Sequence, residues 1–177
     1  MKRILLFFLL VTMSIAGFSQ NTIKFLGIPI DGTKKEMISK LEAKGYEYNS
    51  YSETLKGEFN GIDVYISVQT VNNRVWRIAV MDANSTHEAN IKVRFNNLFG
   101  QFMGNGKYTL EHGELLTDDD DISYEITVHK KRYEASFRLA DESINGLVWY
   151  MIGEQFGKYW ICLFYENLDN AANGDDL

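Results

Sequence analysis

The chain has one cysteine, Cys162, among 177 residues. A lone thiol cannot close an intramolecular disulfide, so no covalent cross-link holds the fold. Set in Trp160-Ile161-Cys162-Leu163-Phe164, it reads as a small buried hydrophobe with no visible cation or helix terminus to activate it. Basic charge is also scarce: 18 Lys+Arg against 24 Asp+Glu gives a formal net charge of −6. Such a balance repels phosphate backbones and argues against a nucleic-acid partner. After the first residues no apolar run is long enough to span a bilayer. The histidines, His87, His112 and His129, have no metal-ligand spacing and no nucleophile motif beside them. Ser67 and Ser136 lack an elbow sequence, and Gly104-Asn105-Gly106-Lys107 follows a helical pattern and so offers no phosphate cradle. The expectation is a chain with no catalytic residues, no metal and no cofactor.

What is present begins with an address. Lys2 and Arg3 precede an unbroken apolar run over residues 4–11, and Gly17 and Ser19 occupy the two small-residue positions read by a signal peptidase. Residues 1–19 form a secretory signal peptide, cut after Ser19. Cleavage removes Lys2 and Arg3, moves the net charge from −6 to −8 and leaves residues 20–177, enough for one domain or two small units sharing a core. No cysteine lies near the cut, so lipid attachment there is excluded. The expected location is the periplasm or the exterior.

Helix signals then occur twice. Thr33-Lys34-Lys35-Glu36 has capping-box spacing, with Met37, Ile38 and Leu41 on one face and Gly45 as a stop. Ser85-Thr86-His87-Glu88 repeats the spacing 52 residues on, followed by Ile91, Phe95, Leu98, Phe99 and Phe102 as one apolar stripe. Tyrosine-bearing strand sequence follows each helix, at Tyr46-Glu47-Tyr48 and at Tyr108-Thr109-Leu110. The reading is an α+β fold of two tandem units, residues 20–83 and 84–166, each a capped helix on an antiparallel sheet of about four strands, with a disordered tail over 167–177.

Parity places the strands. Ile62, Val64, Ile66 and Val68 alternate with polar residues, and Asn60-Gly61 tolerates the positive φ of a type I′ turn, pairing Phe59 with Ile62. A three-residue loop over 71–73 places Trp76 opposite Val68 and turns Ile78 and Val80 to the core. In the second half, Ile122, Tyr124, Ile126 and Val128 alternate as a strand, with Glu125 on its wet face. A turn at Lys130-Lys131 returns through Tyr133, Ala135, Phe137 and Leu139. The last two strands, 147–152 and 159–165, are apolar on both faces. Cysteine favours full burial and tyrosine a half-wet surface. The set Leu147, Trp149, Met151, Trp160, Cys162 and Phe164 is therefore assigned to the helix-covered core, and Val148, Tyr150, Ile152, Tyr159, Ile161 and Leu163 to the open face.

This arrangement resembles the β-lactamase inhibitor protein and the related SmpA/OmlA outer-membrane assembly lipoproteins. The nearest local match is Gly27-Ile28-Pro29-Ile30-Asp31-Gly32-Thr33 leading into Lys34-Lys35-Glu36-Met37, similar to the glycine-then-helix entry of that superfamily. The signal ending at Ser19 before Gln20, with a tyrosine- and asparagine-rich body, looks like small exported proteins of Bacteroidetes. The chain departs from the pattern in having neither the lipid-bearing cysteine of the assembly lipoproteins nor the disulfides of the inhibitors. The resemblance implies protein binding through an exposed sheet face.

Tyr65, Tyr150 and Tyr159 are the candidate binding residues, since tyrosine supplies large contact area at low entropic cost. The leading expectation is an exported, soluble, non-catalytic binding module that engages a protein or a cell-surface polymer. The alternatives are a periplasmic hydrolase using carboxylates such as Glu125 and Glu134 near His129, and an envelope-assembly scaffold. The run Asp118-Asp119-Asp120-Asp121 lacks the spacing and glycine of a Ca²⁺ loop and reads as a solvated loop.

Overall fold

The computed structural model describes residues 21–171. The expected signal peptide and the last residues of the expected tail lie outside them. The fold is α+β. Strand β1 (Lys24–Phe25) pairs with β2 (Ile28–Pro29) as a small hairpin. Helix α1 (Lys34–Glu42) precedes β3 (Glu47–Asn49), β4 (Thr54–Phe59), β5 (Ile62–Val71) and β6 (Arg74–Asp82). Helix α2 (Glu88–Met103) precedes β7 (Tyr108–His112). Then come α3 (Ile122–His129), β8 (Glu134–Leu139), β9 (Gly146–Gln155), β10 (Lys158–Asn167) and α4 (Leu168–Ala171). Strands β3 to β10 form one antiparallel sheet in the order β3-β4-β5-β6-β10-β9-β8-β7. Residues 83 and 84 fall in the connection between β6 and α2.

Helix α1 starts as its sequence dictates. The Thr33 hydroxyl accepts from the Glu36 N–H at 3.3 Å, and the Glu36 carboxylate accepts from the Thr33 N–H at 2.9 Å. Met37 and Leu41 are buried against the sheet. Helix α2 buries the expected stripe, Ile91, Phe95, Leu98, Phe99 and Phe102, but its start differs from expectation. His87 is the N-cap residue and gives no side-chain cap. Thr86 is drawn away because its backbone exchanges hydrogen bonds with Tyr159 at 2.7 and 2.9 Å. Glu88 turns to α3 instead, where its Oε1 accepts from the N–H groups of Ile122 at 2.7 Å and Ser123 at 3.4 Å.

Helix α3 corrects the strand expected over Ile122 to Val128. Asp121 caps it by accepting from the Tyr124 N–H at 2.9 Å, and Lys130 ends it in the left-handed region at φ 55°. Of the alternating set only Ile122 is fully buried, while Tyr124 and Val128 are exposed. Caps at both ends override the strand preference of a short β-branched run. The acidic run is therefore partly structural: Asp120 also accepts from the Thr117 N–H at 2.7 Å.

The Asn60-Gly61 turn has φ 55° and 74° and pairs Phe59 with Ile62, as expected. The next turn is not the three-residue loop. Asn72 and Asn73 form a two-residue turn with φ 49° and 61°, pairing Val71 with Arg74. A bulge follows, since Thr70 faces Val75 but Gln69 faces Arg77, leaving Trp76 as the extra residue. The bulge lets Val75 and Ile78 both point inward although three positions apart, and removes Trp76 from the core.

The face assignment of β9 and β10 is inverted relative to expectation. Val148, Tyr150, Ile152, Tyr159, Ile161 and Leu163 are all buried on the face covered by α1 and α2. Leu147, Trp149, Met151, Trp160, Cys162 and Phe164 are half-buried on the other. The core is strongly aromatic: Phe95 meets Tyr150 edge-on at 4.8 Å, and Phe102 stacks on Phe137 at 4.8 Å. Residues 167–170, expected to begin the tail, are held in place. Asn167 donates to the Ile30 carbonyl at 2.8 Å, and Asn170 to that of Val75 at 2.7 Å.

Candidate functional site on the open sheet face

The face opposite α1 and α2 carries an aromatic platform at the centre of the sheet. Antiparallel register aligns side chains of like parity across neighbouring strands. One row runs Tyr65, Met81, Cys162, Met151 across β5, β6, β10 and β9. The next runs Ser67, Ala79, Phe164, Trp149 and Ser136, and a third runs Gln69, Arg77, Glu166, Leu147 and Arg138.

Trp149 and Phe164, directly opposed in the ladder, stack at 4.2 Å with planes 21° apart. The Arg77 guanidinium lies 4.0 Å from the Trp76 ring centroid and 5.3 Å from that of Phe164, so the cation is held over aromatic faces. Beneath it the buried carboxylate of Glu166 uses one oxygen, Oε1, for three partners: Arg77 Nη2 at 2.6 Å, Arg77 Nε at 2.8 Å and Trp149 Nε1 at 2.7 Å. Charge-assisted bonds of this kind fix the orientation of both indole and guanidinium. Toward the other end, Trp160 lies across the neighbouring strand over Gly153. A Cβ at that glycine would sit 2.5 Å from the Trp160 ring. Met81 is the most open of these apolar side chains, at 41% exposure.

Of the three tyrosines expected on this face, Tyr65 is there. Tyr150 and Tyr159 are on the other side of the sheet, 0% and 3% exposed. The Tyr150 hydroxyl donates to the Phe95 carbonyl at 3.1 Å, which satisfies its one polar group inside the core. Burial pushes its phenol far above the ordinary range. The structure thus separates the three residues, and the aromatic members of the platform are instead Trp76, Trp149, Trp160 and Phe164. The signal of Trp149, Trp160 and Phe164 was present in the sequence as two-sided apolar strands, and what parity could not supply was which side the helices cover. Trp76, expected opposite Val68, reaches this face only through the bulge.

The Cys162 thiol, expected in the core, is half-buried on the platform, and burial among its neighbours pushes it up from its usual value. Such a thiol is mostly protonated at neutral pH and a poor nucleophile.

The carboxylates weighed for hydrolysis are not convergent. Glu125 stands on α3 and Glu134 on β8, where Glu134 pairs with Arg132 at 2.7 Å. The 370 Å³ cavity beside Glu134 is lined by His112, Asp120 and Tyr133, and by neither His129 nor Glu125. His129 packs its ring edge-on against Tyr124 at 5.3 Å, and His87 lies 3.2 Å from the Lys158 amine. Among the described residues no cluster of three or more His, Cys, Asp or Glu side chains has the geometry to hold a metal. No described helix is long and apolar enough to cross a membrane.

Fold and site together define an α+β protein with helices on one face of an eight-stranded antiparallel sheet and an aromatic, arginine-centred platform on the other. No family model, no curated protein and no solved structure matches the chain.

Proposed function

We propose that this protein is an exported, non-catalytic binding module that engages a protein partner through the open sheet face. The carrying observation is the make-up of that face: Trp76, Arg77, Met81, Trp149, Trp160 and Phe164, with Tyr65 at its margin. Tryptophan, tyrosine, methionine and arginine are the side chains enriched at the centres of protein interfaces, where lysine and glutamate are depleted. The only platform carboxylate in the Arg77 row, Glu166, is already paired and covered. A rigid sheet bearing locked aromatic side chains loses little entropy when a partner closes over it.

The architecture supports a finer reading of the same protein as two tandem units. Each half supplies a helix followed by four strands, α1 with β3–β6 and α2 with β7–β10, α3 being inserted after β7. The last strand of each half, β6 and β10, meet antiparallel at the centre, as a local two-fold axis would place them. That is the organisation on which the resemblance to the β-lactamase inhibitor protein rests. Export to the periplasm or beyond rests on the signal sequence over residues 1–19.

The test combines Tyr65→Ser, Met81→Ser and Trp160→Ser in one variant. The unaltered protein, cross-linked in cells, is expected to capture one defined envelope protein, which binds it again after purification. The triple variant is expected to lose that binding at least tenfold while its unfolding temperature stays within a few degrees. Undiminished binding by the variant, or retention on cell-wall polysaccharide with no protein captured, would remove the proposal.

A further inference from the structure

On the helix-covered side, away from the platform, two cavities adjoin where the β1–β2 hairpin, α2 and β10 meet. One, of 340 Å³, has Phe59, Leu98, Phe102 and Leu163 among its walls. The other, of 570 Å³, opens between the hairpin and the β8–β9 connection and is bordered by Lys24, Lys107, Leu139 and Ile144. Leu26, Tyr108 and Tyr165 line both, so the two form one trough with these three residues at its waist. Volumes of this size hold small-molecule ligands.

The waist is polar where its surroundings are apolar. Tyr165 is 8% exposed, yet its hydroxyl has no hydrogen-bond partner among the described residues, and neither does that of Tyr108. Nearby, the Thr22 hydroxyl of the second cavity is buried and also unpartnered. The buried, unmet Thr22 hydroxyl costs about 1–3 kcal/mol, while the Tyr108 and Tyr165 hydroxyls open into the trough with their donors free for an occupant. Burial pushes both phenols up, which keeps them protonated as donors at neutral pH. Lys24 and Lys107 border the second cavity with no carboxylate paired to either among the described residues. Asp141, on the same rim, keeps its negative charge, its Oδ1 accepting from the Ser143 hydroxyl and N–H at 2.6 and 3.0 Å, so the rim as a whole is positive by one charge. The first cavity is bridged at its mouth by Asn60, which donates to Gln101 on α2 at 2.7 Å.

We propose that this trough binds a single-chain fatty carboxylate. The hydrocarbon lies in the first cavity against Phe59, Leu98, Phe102 and Leu163. The carboxylate lies in the second, accepting from the Tyr108 and Tyr165 hydroxyls in the field of Lys24 and Lys107. Two ammonium groups against the one carboxylate of Asp141 leave the rim with a net positive charge that a neutral chain would not meet and that would repel a cationic amphiphile. The site is independent of the platform and of the partner proposed for it.

The probe is cis-parinaric acid, whose fluorescence rises on entering an apolar site, with oleate as competitor. The expected result is saturable one-to-one binding, displaced by oleate and by dodecanoate, with dodecanol and dodecyltrimethylammonium at least tenfold weaker than dodecanoate of the same chain length. Tyr108→Phe with Tyr165→Phe removes only two unpartnered hydroxyl groups, so the variant is expected to keep its unfolding temperature and lose oleate affinity about tenfold. Lys24→Gln with Lys107→Gln is expected to weaken oleate and leave dodecanol unchanged. The absence of saturable binding would overturn the proposal, as would equal affinity for the three head groups or oleate binding undiminished in both variants.

Discussion

Glu166 shows at the level of one residue why the platform was hidden in the sequence. Cysteine on average favours the core and tyrosine a half-wet surface, and on those averages the tryptophan-bearing set is expected in the core. Glu166 reverses this by sitting on the open face, where its carboxylate satisfies both the Trp149 indole N–H and the Arg77 guanidinium. Tyr150 reverses it from the other side, since the Phe95 carbonyl takes its hydroxyl proton inside the core. A polar tip is buried readily once it has a partner, and parity alone does not reveal partners. The buried tyrosines also set the alkaline limit of the fold. Tyr133 is pushed up to about 12 by burial and by the carboxylates of Asp120, Glu125, Glu88 and Asp121, and burial raises Tyr150 and Tyr165 as well. Their phenols ionise near 10 when unfolded, so below pH 10 their contribution is fully present. Above it the unfolded chain releases protons that the folded one retains, and stability falls from pH 10 to 12. Urea unfolding at pH 9 and pH 11 should show this loss.

At the level of elements, α3 is the instructive case. Its sequence alternates as cleanly as that of β5, but β5 is flanked by turns and α3 by caps. Thr117, Asp120 and Asp121 order the start, Lys130 takes the left-handed end, and Glu88 reaches from α2 to meet two of the free N–H groups. Asp121→Ala is expected to cost about 1 kcal/mol, the usual worth of an N-cap. Hydrogen exchange at the Tyr124 amide should accelerate accordingly, while amides of β5 and β6 keep their protection. The helices α1 and α2 and the Asn60-Gly61 hairpin were legible because local chemistry and burial agreed on them. The β5–β6 connection was only half legible. Core alignment of Ile78 and Val80 follows from parity, but a two-residue turn followed by a bulge and a three-residue loop both deliver it. Only the positive φ of Asn72 as well as Asn73 separates them.

At the level of the whole molecule, alternation yields strands and their greasy sides but not the order in which strands join. The sequence suggested two helix-and-sheet units. That their strands run on as one sheet through β6 and β10 depends on a pairing between residues roughly eighty positions apart, for instance Val80 with Leu163, which no local signal encodes. Nor did the sequence reveal that residues 167–170 are tied to Ile30 and Val75 and so close the end of the sheet.

The β6–β10 seam has a consequence for how the protein can be divided. A cut between residues 83 and 84 would strip both fragments of the neighbour that satisfies a central row of amides and carbonyls. Each would then carry a naked, adhesive margin where the intact protein has its interior. Residues 20–83 or 84–177 made alone should therefore self-associate on size-exclusion chromatography, whereas co-expression should restore a soluble one-to-one assembly. The molecule is held shut along its own midline, and half of it is an unfinished surface in search of the other.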